Sequence, residues 1–472
     1  MKYIFITYSG LSLPIAYKLQ QEKNEVIVGQ IENIKDYVME DESEKAIEID
    51  FNKKRRLDLF KGMLDIRPAD QVIEQLRRSK NLKDYFLFFE ENNLYRWADK
   101  VRDLDCQGNF PTKEDYLFEI DRDNAKKFVR KYYPKLYTPE IKEFDSIRDG
   151  IEFLKTAKDI WVLKGRDDSA ATFVADVDSA ELANAQVIDW LENFPLKYEK
   201  LGFILELFIP SVIELTPEIM FYDGTPLFTT VGIENKSFGS GNLSVQTGCA
   251  EDLVFPTEME DRINKISFPP VIYEMAKEHK GLFIWDASLL INKKDGKIYF
   301  GEFCSNRPGY NSFFTELSQA KSVHDFFEGV VQREAPLKPG TVGTSLRLFN
   351  MNRDEDSEQI SDGITVDFKP EIEKDLWLWD VKKNGGNRLA TAGTDWNLAV
   401  LTGAGKSIDE AVTKLYENVD GFSFVGSYYR SQDDFISQDY HNSIINRLNY
   451  GLERGLYRLP FDVRVGELDI DY

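Results

Sequence analysis

The chain has 472 residues, 42% hydrophobic and 13% aromatic, enough to build cores and unlike disorder. It carries 81 acidic against 59 basic residues, a net charge of −22 and a pI near 4.8. That argues against direct nucleic-acid binding, which needs a basic surface, and leaves room for a local basic pocket that takes a small anion.

No apolar run is long enough for a membrane span, and the opening MKYIFITYSG lacks a signal core. The cysteines (Cys106, Cys249, Cys304) are too scattered for a disulfide framework or a zinc spacing. A cytoplasmic protein is the expectation. His279, His324 and His441 are far apart in sequence and support no catalytic triad.

Residues 1–10 predict a buried strand ending at Ser9-Gly10. Leu11, Ile15, Ala16 and Leu19 then fall at helical spacing, with Pro14 in the first turn, and Val26–Val28 reads as a strand. This βαβ opening suits a doubly wound sheet, but Ser9-Gly10 is not a dinucleotide fingerprint. Residues 31–80 are polar, and Lys53-Lys54-Arg55-Arg56 reads as a solvated helix face. Tyr85–Phe89 is a strand closed by Glu90-Glu91-Asn92-Asn93, which is either an acidic loop or a group at the ligand end of the sheet.

A linker with Gly108, Pro111 and Glu119–Asp123 leads to a basic helix over 124–132. Ile160–Lys164 is an apolar strand ending in a lysine, and GRDDSAATFV turns into the next strand. Gly202–Ile209 is an apolar strand carrying one acid, Glu206, and Ile219–Tyr222 another strand. Residues 233–249, IENKSFGSGNLSVQTGC, read as a long polar loop, usually a functional feature inside a domain. Pro269–His279 reads as a helix.

The stretch Gly281–Gly309 predicts a β-hairpin around NKKDG. If Ile291 and Lys297 close it, Asp286 lies opposite Glu302 on one face. Facing like charges are destabilising, and a hard divalent cation between them would remove that cost. A one-residue slip would instead send both to water.

Beyond Pro336–Gly340, Thr344–Phe349 and Gly363–Phe368 alternate like strands, and Leu398–Thr402 runs into Gly403-Ala404-Gly405-Lys406-Ser407. A P-loop needs a glycine at the position of Val400, so Ser407 is read as a helix cap with Glu410 completing a capping box. That helix should bury Ile408, Ala411, Val412, Leu415, Tyr416 and Val419. The tail from Ile436 starts helical and ends acidic and aromatic.

Several of these segments resemble one family. Residues 388–435, with Thr391-Ala392-Gly393, a strand, a helix and a closing Phe-x-Gly-x-x-Tyr-Arg, are similar to the C-terminal domain of phosphoribosylamine–glycine ligase, an ATP-grasp enzyme. Residues 233–248 resemble that family's substrate loop, the hairpin its metal site, and Ala125–Phe128 with Val162–Lys164 its two nucleotide-binding lysine motifs. The resemblance implies an α/β (α+β) chain: a Rossmann-like pre-ATP-grasp domain over 1–110, an ATP-grasp domain over 111–335, a small α/β domain over 336–435 and a tail over 436–472.

It also implies roles. Lys126 and Lys164 would contact ATP phosphates, the backbone around Glu206 and Phe208 would face adenine, and Glu214 would hold the ribose. Asp286 and Glu302 would bind Mg²⁺ or Mn²⁺. Arg307 would sit by the γ-phosphate, and Lys236, Thr247 and Gly248 would meet substrate. Cys304 stands where the family has an asparagine, a position Asn306 would take over if the turn is one residue longer. The flap after Lys164 is not glycine-rich, and the substrate loop lacks the family's acidic and proline positions.

The implied activity is an ATP-dependent carboxylate–amine ligase working through an acyl phosphate, joining a glycine-like amino acid to a nucleotide-like amine. The alternatives are a ligase for two amino acids or other small molecules, and a nucleotide-binding protein that has lost catalysis. The expected partners are small molecules, with no membrane and no nucleic acid.

Overall fold

The computed structural model describes residues 1–33, 56–165, 172–175, 179–195, 198, 202–210, 212–353, 360–436 and 443–459. Lys53 to Arg55, most of the flap after Lys164, His441 and the end of the tail lie outside the described residues. The chain divides into two compact units, one of residues 1–113, 216–286 and 304–472, the other of 114–215 and 287–303.

The first unit begins with β1 (Lys2–Thr7), α1 (Leu13–Gln21), β2 (Glu25–Gln30), β3 (Ile66–Pro68), α2 (Ala69–Arg77), β4 (Tyr85–Phe89) and β5 (Gln107–Gly108). The strands form a parallel sheet in the order β3-β2-β1-β4-β5. A parallel sheet is covered on both faces, so its strands are apolar throughout. Tyr3 and Phe5 pack with Leu13, Ile15 and Leu19 of α1, while Ile4 and Ile6 pack with Val72, Ile73 and Leu76 of α2. Helix α2 lies within the stretch read as merely polar, because charges crowd its exposed face. Arg56 is not a solvated residue: it is 7% exposed and lies 3.7 Å above the Tyr8 ring.

In the second unit, α3 (Lys113–Ile120) and α4 (Arg122–Tyr132) occupy the segment read in part as a charged linker. Asp121 caps α4 by accepting from the Asn124 N–H at 2.9 Å, so this charge marks a helix start. Then follow β6 (Ile141–Phe144), α5 (Ile147–Thr156), β7 (Trp161–Gly165), α6 (Ala180–Asn193) and β8 (Phe203–Leu207). The sheet order is β6-β8-β7, with Leu154, Leu163, Val187, Leu191 and Leu205 in one core.

Next come β9 (Val212–Tyr222), β10 (Thr225–Gly239), β11 (Leu243–Thr257), α7 (Pro270–Glu278), β12 (Leu282–Asn292) and β13 (Ile298–Ser305). After them lie α8 (Tyr310–Gln319), α9 (Val323–Gln332), β14 (Val342–Asn350), β15 (Leu376–Leu378), β16 (Asn397–Gly405), α10 (Ile408–Val419) and α11 (Ile444–Glu453). The division between units falls within β9, β12 and β13. Within the first unit, β9 pairs with β10, β10 with β11, β11 with β14, β14 with β16 and β16 with β15, all antiparallel.

The stretch 233–249, read as a loop, is mostly strand. It escaped the strand pattern because its buried side chains, such as Asn235 and Ser237, are polar and satisfied by partners distant in sequence. Of Gly363–Phe368 only Asp367–Phe368 is strand.

At Gly403–Ser407 the capping reading holds. Ser407 accepts from the Glu410 N–H at 3.1 Å, while Glu410 accepts from the Lys406 N–H at 2.8 Å. Among the described residues no helix is long and apolar enough to cross a membrane.

Candidate active site

In the second unit three charged side chains meet. Strand pairing places Val162 opposite Glu206 and Lys164 opposite Ile204, so β7 delivers Lys164 beside the acid on β8. From α4, Lys126 reaches the same carboxylate. Lys126 Nζ lies 2.5 Å from one Glu206 oxygen and Lys164 Nζ 2.7 Å from the other. Lys126 is 2% exposed and Glu206 5%. Burial pushes Glu206 up, but the two ammonium groups outweigh it and hold the carboxyl below the usual range. Burial lowers Lys126, partly offset by Glu206.

The arrangement is two cations preset around one acid, with Lys164 half-buried. The Phe208 N–H donates to the Ile160 carbonyl at 2.9 Å, so that amide is committed to the sheet. Glu214 accepts from the Ser288 hydroxyl at 2.7 Å.

The hairpin closes one residue away from the expected pair, with the Asn292 N–H donating to the Lys297 carbonyl at 2.9 Å. Ser288 crowds Gly301, where a Cβ would lie 2.7 Å from the serine hydroxyl. In that register Glu302 falls opposite Ala287, and its side chain is exposed. The closure that would have set Asp286 opposite Glu302 is therefore not adopted.

In the first unit, Asp286 is half-buried and within electrostatic reach of Glu218. Burial first, then Glu316 and Asp286, push Glu218 well above the carboxylate range. Glu316 is pushed up to about 8 by burial, and accepts from the Thr230 hydroxyl at 2.7 Å. Among the described residues no group of three or more His, Cys, Asp or Glu is arranged to hold a metal ion. Carboxylate oxygens remain the donor type that fits Mg²⁺, an ion that takes one or two carboxylates and completes its shell with substrate phosphates.

The turn after β13 is also in the first unit. Asn306 is buried in a left-handed conformation (φ 52°), and its N–H donates to the Ile284 carbonyl at 2.7 Å. Arg307 pairs with Glu91 at 3.4 Å, and Asn92 donates to the Ser305 carbonyl at 2.8 Å. The acids after β4 thus divide their roles. Glu91 meets Arg307, while buried Glu90 accepts from the Thr7 hydroxyl, the Tyr8 N–H at 2.5 Å and the Ser9 N–H at 2.6 Å.

Residues 235–251 hold a wide bulge, since Asn235 pairs with Glu251 but Ser237 with Gln246. Lys236 therefore faces an excursion containing Thr247 and exposed Gly248. The Thr247 hydroxyl donates to the Lys236 carbonyl at 2.8 Å. Two buried arginines brace the bulge. Arg430 donates to the Ser237 and Gly239 carbonyls at 2.8 and 2.7 Å and pairs with Glu251 at 3.0 Å; Arg447 donates to the Glu234 carbonyl at 2.6 Å.

No family model matches the chain, and no curated protein does. Solved structures do. Phosphoribosylamine–glycine ligase from Thermotoga maritima matches with a TM-score of 0.62 at 15% identity, over 91% of this chain and 99% of that one. Biotin carboxylase from Campylobacter jejuni matches with 0.54 at 12%, over 98% of both chains. L-amino acid ligase from Bacillus licheniformis matches with 0.51 at 15%, over 89% and 98%.

This chain has the ATP-grasp fold.

Within that fold, Lys126, Lys164, Glu206, Phe208, Glu214 and Glu302 belong to the second unit, and Lys236, Thr247, Gly248, Asp286, Asn306 and Arg307 to the first. The structure brings Lys126, Lys164 and Glu206 into direct contact, and separately joins Lys236 to Thr247. Sequence reasoning missed Arg447. Arg430 had a signal, the closing Phe-x-Gly-x-x-Tyr-Arg, but nothing local disclosed that it is fully buried under a distant strand.

Proposed function

We propose that this chain is an ATP-dependent carboxylate–amine ligase. The observation that carries the reading is the Lys126–Glu206–Lys164 cluster, in a chain with the ATP-grasp fold. Two lysines held on separate elements suit a triphosphate, and Glu206 keeps them in place when none is bound. Lys126 and Lys164 would hold the phosphates in line with a carboxylate, which takes the γ-phosphoryl group and becomes an acyl phosphate as ADP leaves. An amine then attacks the acyl carbon, expelling phosphate and leaving a C–N bond.

Mg²⁺ or Mn²⁺, with Glu302 as its proposed protein ligand in the unit that holds both lysines, would supply charge neutralisation at the phosphates. An amino acid is the proposed carboxylate, by analogy with the two ligases the fold resembles. A nucleotide-like molecule is the proposed amine.

The test is ADP release with Mg²⁺-ATP across a matrix of amino acids and amines, with mass spectrometry of the products. Release with one particular pair, and a product of their summed mass less water, would establish the ligase. Glu302→Gln should then abolish turnover while ATP still binds. Silence across the matrix with no ATP binding would refute the reading.

A further inference from the structure

Arg347 on β14 is a half-buried cation with no acid in ion-pair contact among the described residues. Its Nε donates to the Asn311 side-chain oxygen at 2.7 Å and its Nη1 to that of Asn397 at 3.4 Å. Its guanidinium lies 5.6 Å from the centre of the Trp379 ring. These partners come from α8, β16 and the segment after β15, and all are neutral. No salt bridge to Arg347 forms among the described residues, although the chain carries a net charge of −22. Asp395 feels its charge but spends its own carboxylate on Asn397, at 3.2 Å to the N–H and 3.1 Å to the side-chain nitrogen.

The cradle is fixed in turn. Asn311 donates to the Ser345 hydroxyl at 3.0 Å, which leaves its oxygen for the arginine. Gly248 lies along one edge of the guanidinium. A Cβ at Gly248 would sit 3.9 Å from Nη2 and 4.0 Å from Nη1, and Gly248, having none, is itself exposed. Burial, then Glu234 and Asp252, push the Cys249 thiol up, and Arg347 and Lys236 act against them, so two cations and two acids lie near the bulge. A planar fork with preset orientation and spare N–H groups is the arrangement that suits a carboxylate or phosphate.

We propose that Arg347 is a specificity-determining residue that receives an anionic group, carboxylate or phosphate, on the amine substrate, with Gly248 as the opening through which that group reaches it. The proposal rests on the ligase reading for the identity of its ligand and on the Arg347 cradle for the site.

The test uses the full chain and amines offered in pairs, one member anionic and one neutral: amino acids against their carboxamides, and phosphoethanolamine against ethanolamine. ADP release should favour the anionic members, and which pair discriminates tells carboxylate from phosphate. Arg347→Gln should raise KM for the anionic amine by roughly ten- to a hundredfold, the scale of a lost charge-assisted hydrogen-bond pair, with kcat and the neutral partner's KM little changed. Arg347→Lys should recover only part of this, and Gly248→Val should raise the same KM by covering the guanidinium.

An anionic amine whose KM is the same in Arg347→Gln overturns the proposal. If no amine supports ADP release, the site is judged by calorimetric titration with inorganic phosphate and with acetate, and the ligase reading fails as well where ATP does not bind. Binding heat present in the wild type and lost in Arg347→Gln upholds an anion site; identical isotherms overturn it.

Discussion

At the residue scale the governing fact is that buried charge persists only when paired. Glu206, Lys126 and Arg430 are each 5% exposed or less, and each has an opposite charge in direct contact. Breaking such a pair leaves an uncompensated charge, at about 3–5 kcal/mol. Glu206→Gln should therefore lower the unfolding free energy measured by urea denaturation by an amount in that range, and saturating Mg²⁺-ATP should reduce the deficit, because phosphates would take the place of the lost carboxylate. A deficit of the same size with and without ATP would mean that the lysines serve the fold alone. Lys164 and Glu206 could be picked out in the sequence, because a charge on an otherwise apolar strand stands out. That they pair with each other could not, since 42 positions separate them and the contact depends on how β7 and β8 register.

At the scale of elements, what was legible was whatever local periodicity decides. The strand over Tyr85–Phe89 and the helix over Ile408–Val419 fall where apolar spacing puts them. The GAGKS segment is the sharper case, because a phosphate-binding motif and a helix cap share its letters. The observed caps at Ser407 and Glu410 make Lys406 an exposed lysine before a helix. Lys406→Ala should leave ATP affinity unchanged, whereas Lys164→Ala should weaken it; ATP titration of both variants decides, and a loss in Lys406→Ala would return the segment to the nucleotide site. Ser407→Ala should cost about 1 kcal/mol in chemical denaturation, the usual worth of such a cap. What local periodicity could not reveal was the hairpin β10–β11, whose buried polar residues are satisfied by Arg430 and Arg447. Nor could it fix the closing pair of the hairpin after β12, which a shift of one residue moves from Ile291 to Asn292.

At the scale of the molecule, the buried acids set the pH dependence of stability. Burial pushes Glu90, Asp252 and Asp380 up to about 7 and Glu316 up to about 8. In the unfolded chain the same carboxyls release their protons near pH 4. Between those limits the folded state binds more protons than the unfolded one, so stability is fully present below the unfolded values and falls as pH rises through the folded ones. Growing net negative charge acts in the same direction. Glu206, held below the usual range, works oppositely, and its contribution is lost only as the pH drops through its lower folded value. The melting temperature should therefore peak near the unfolded carboxyl values, about pH 4 to 5, and decline as the pH rises to about 8. Glu316→Gln mimics the protonated acid at one of these sites, so it should flatten that decline between pH 6 and 8. Differential scanning calorimetry across this range decides the matter. A melting temperature that is level or rises from pH 6 to 8 would mean that these carboxyls ionise at ordinary values, and that their burial is relieved by water or by a bound cation.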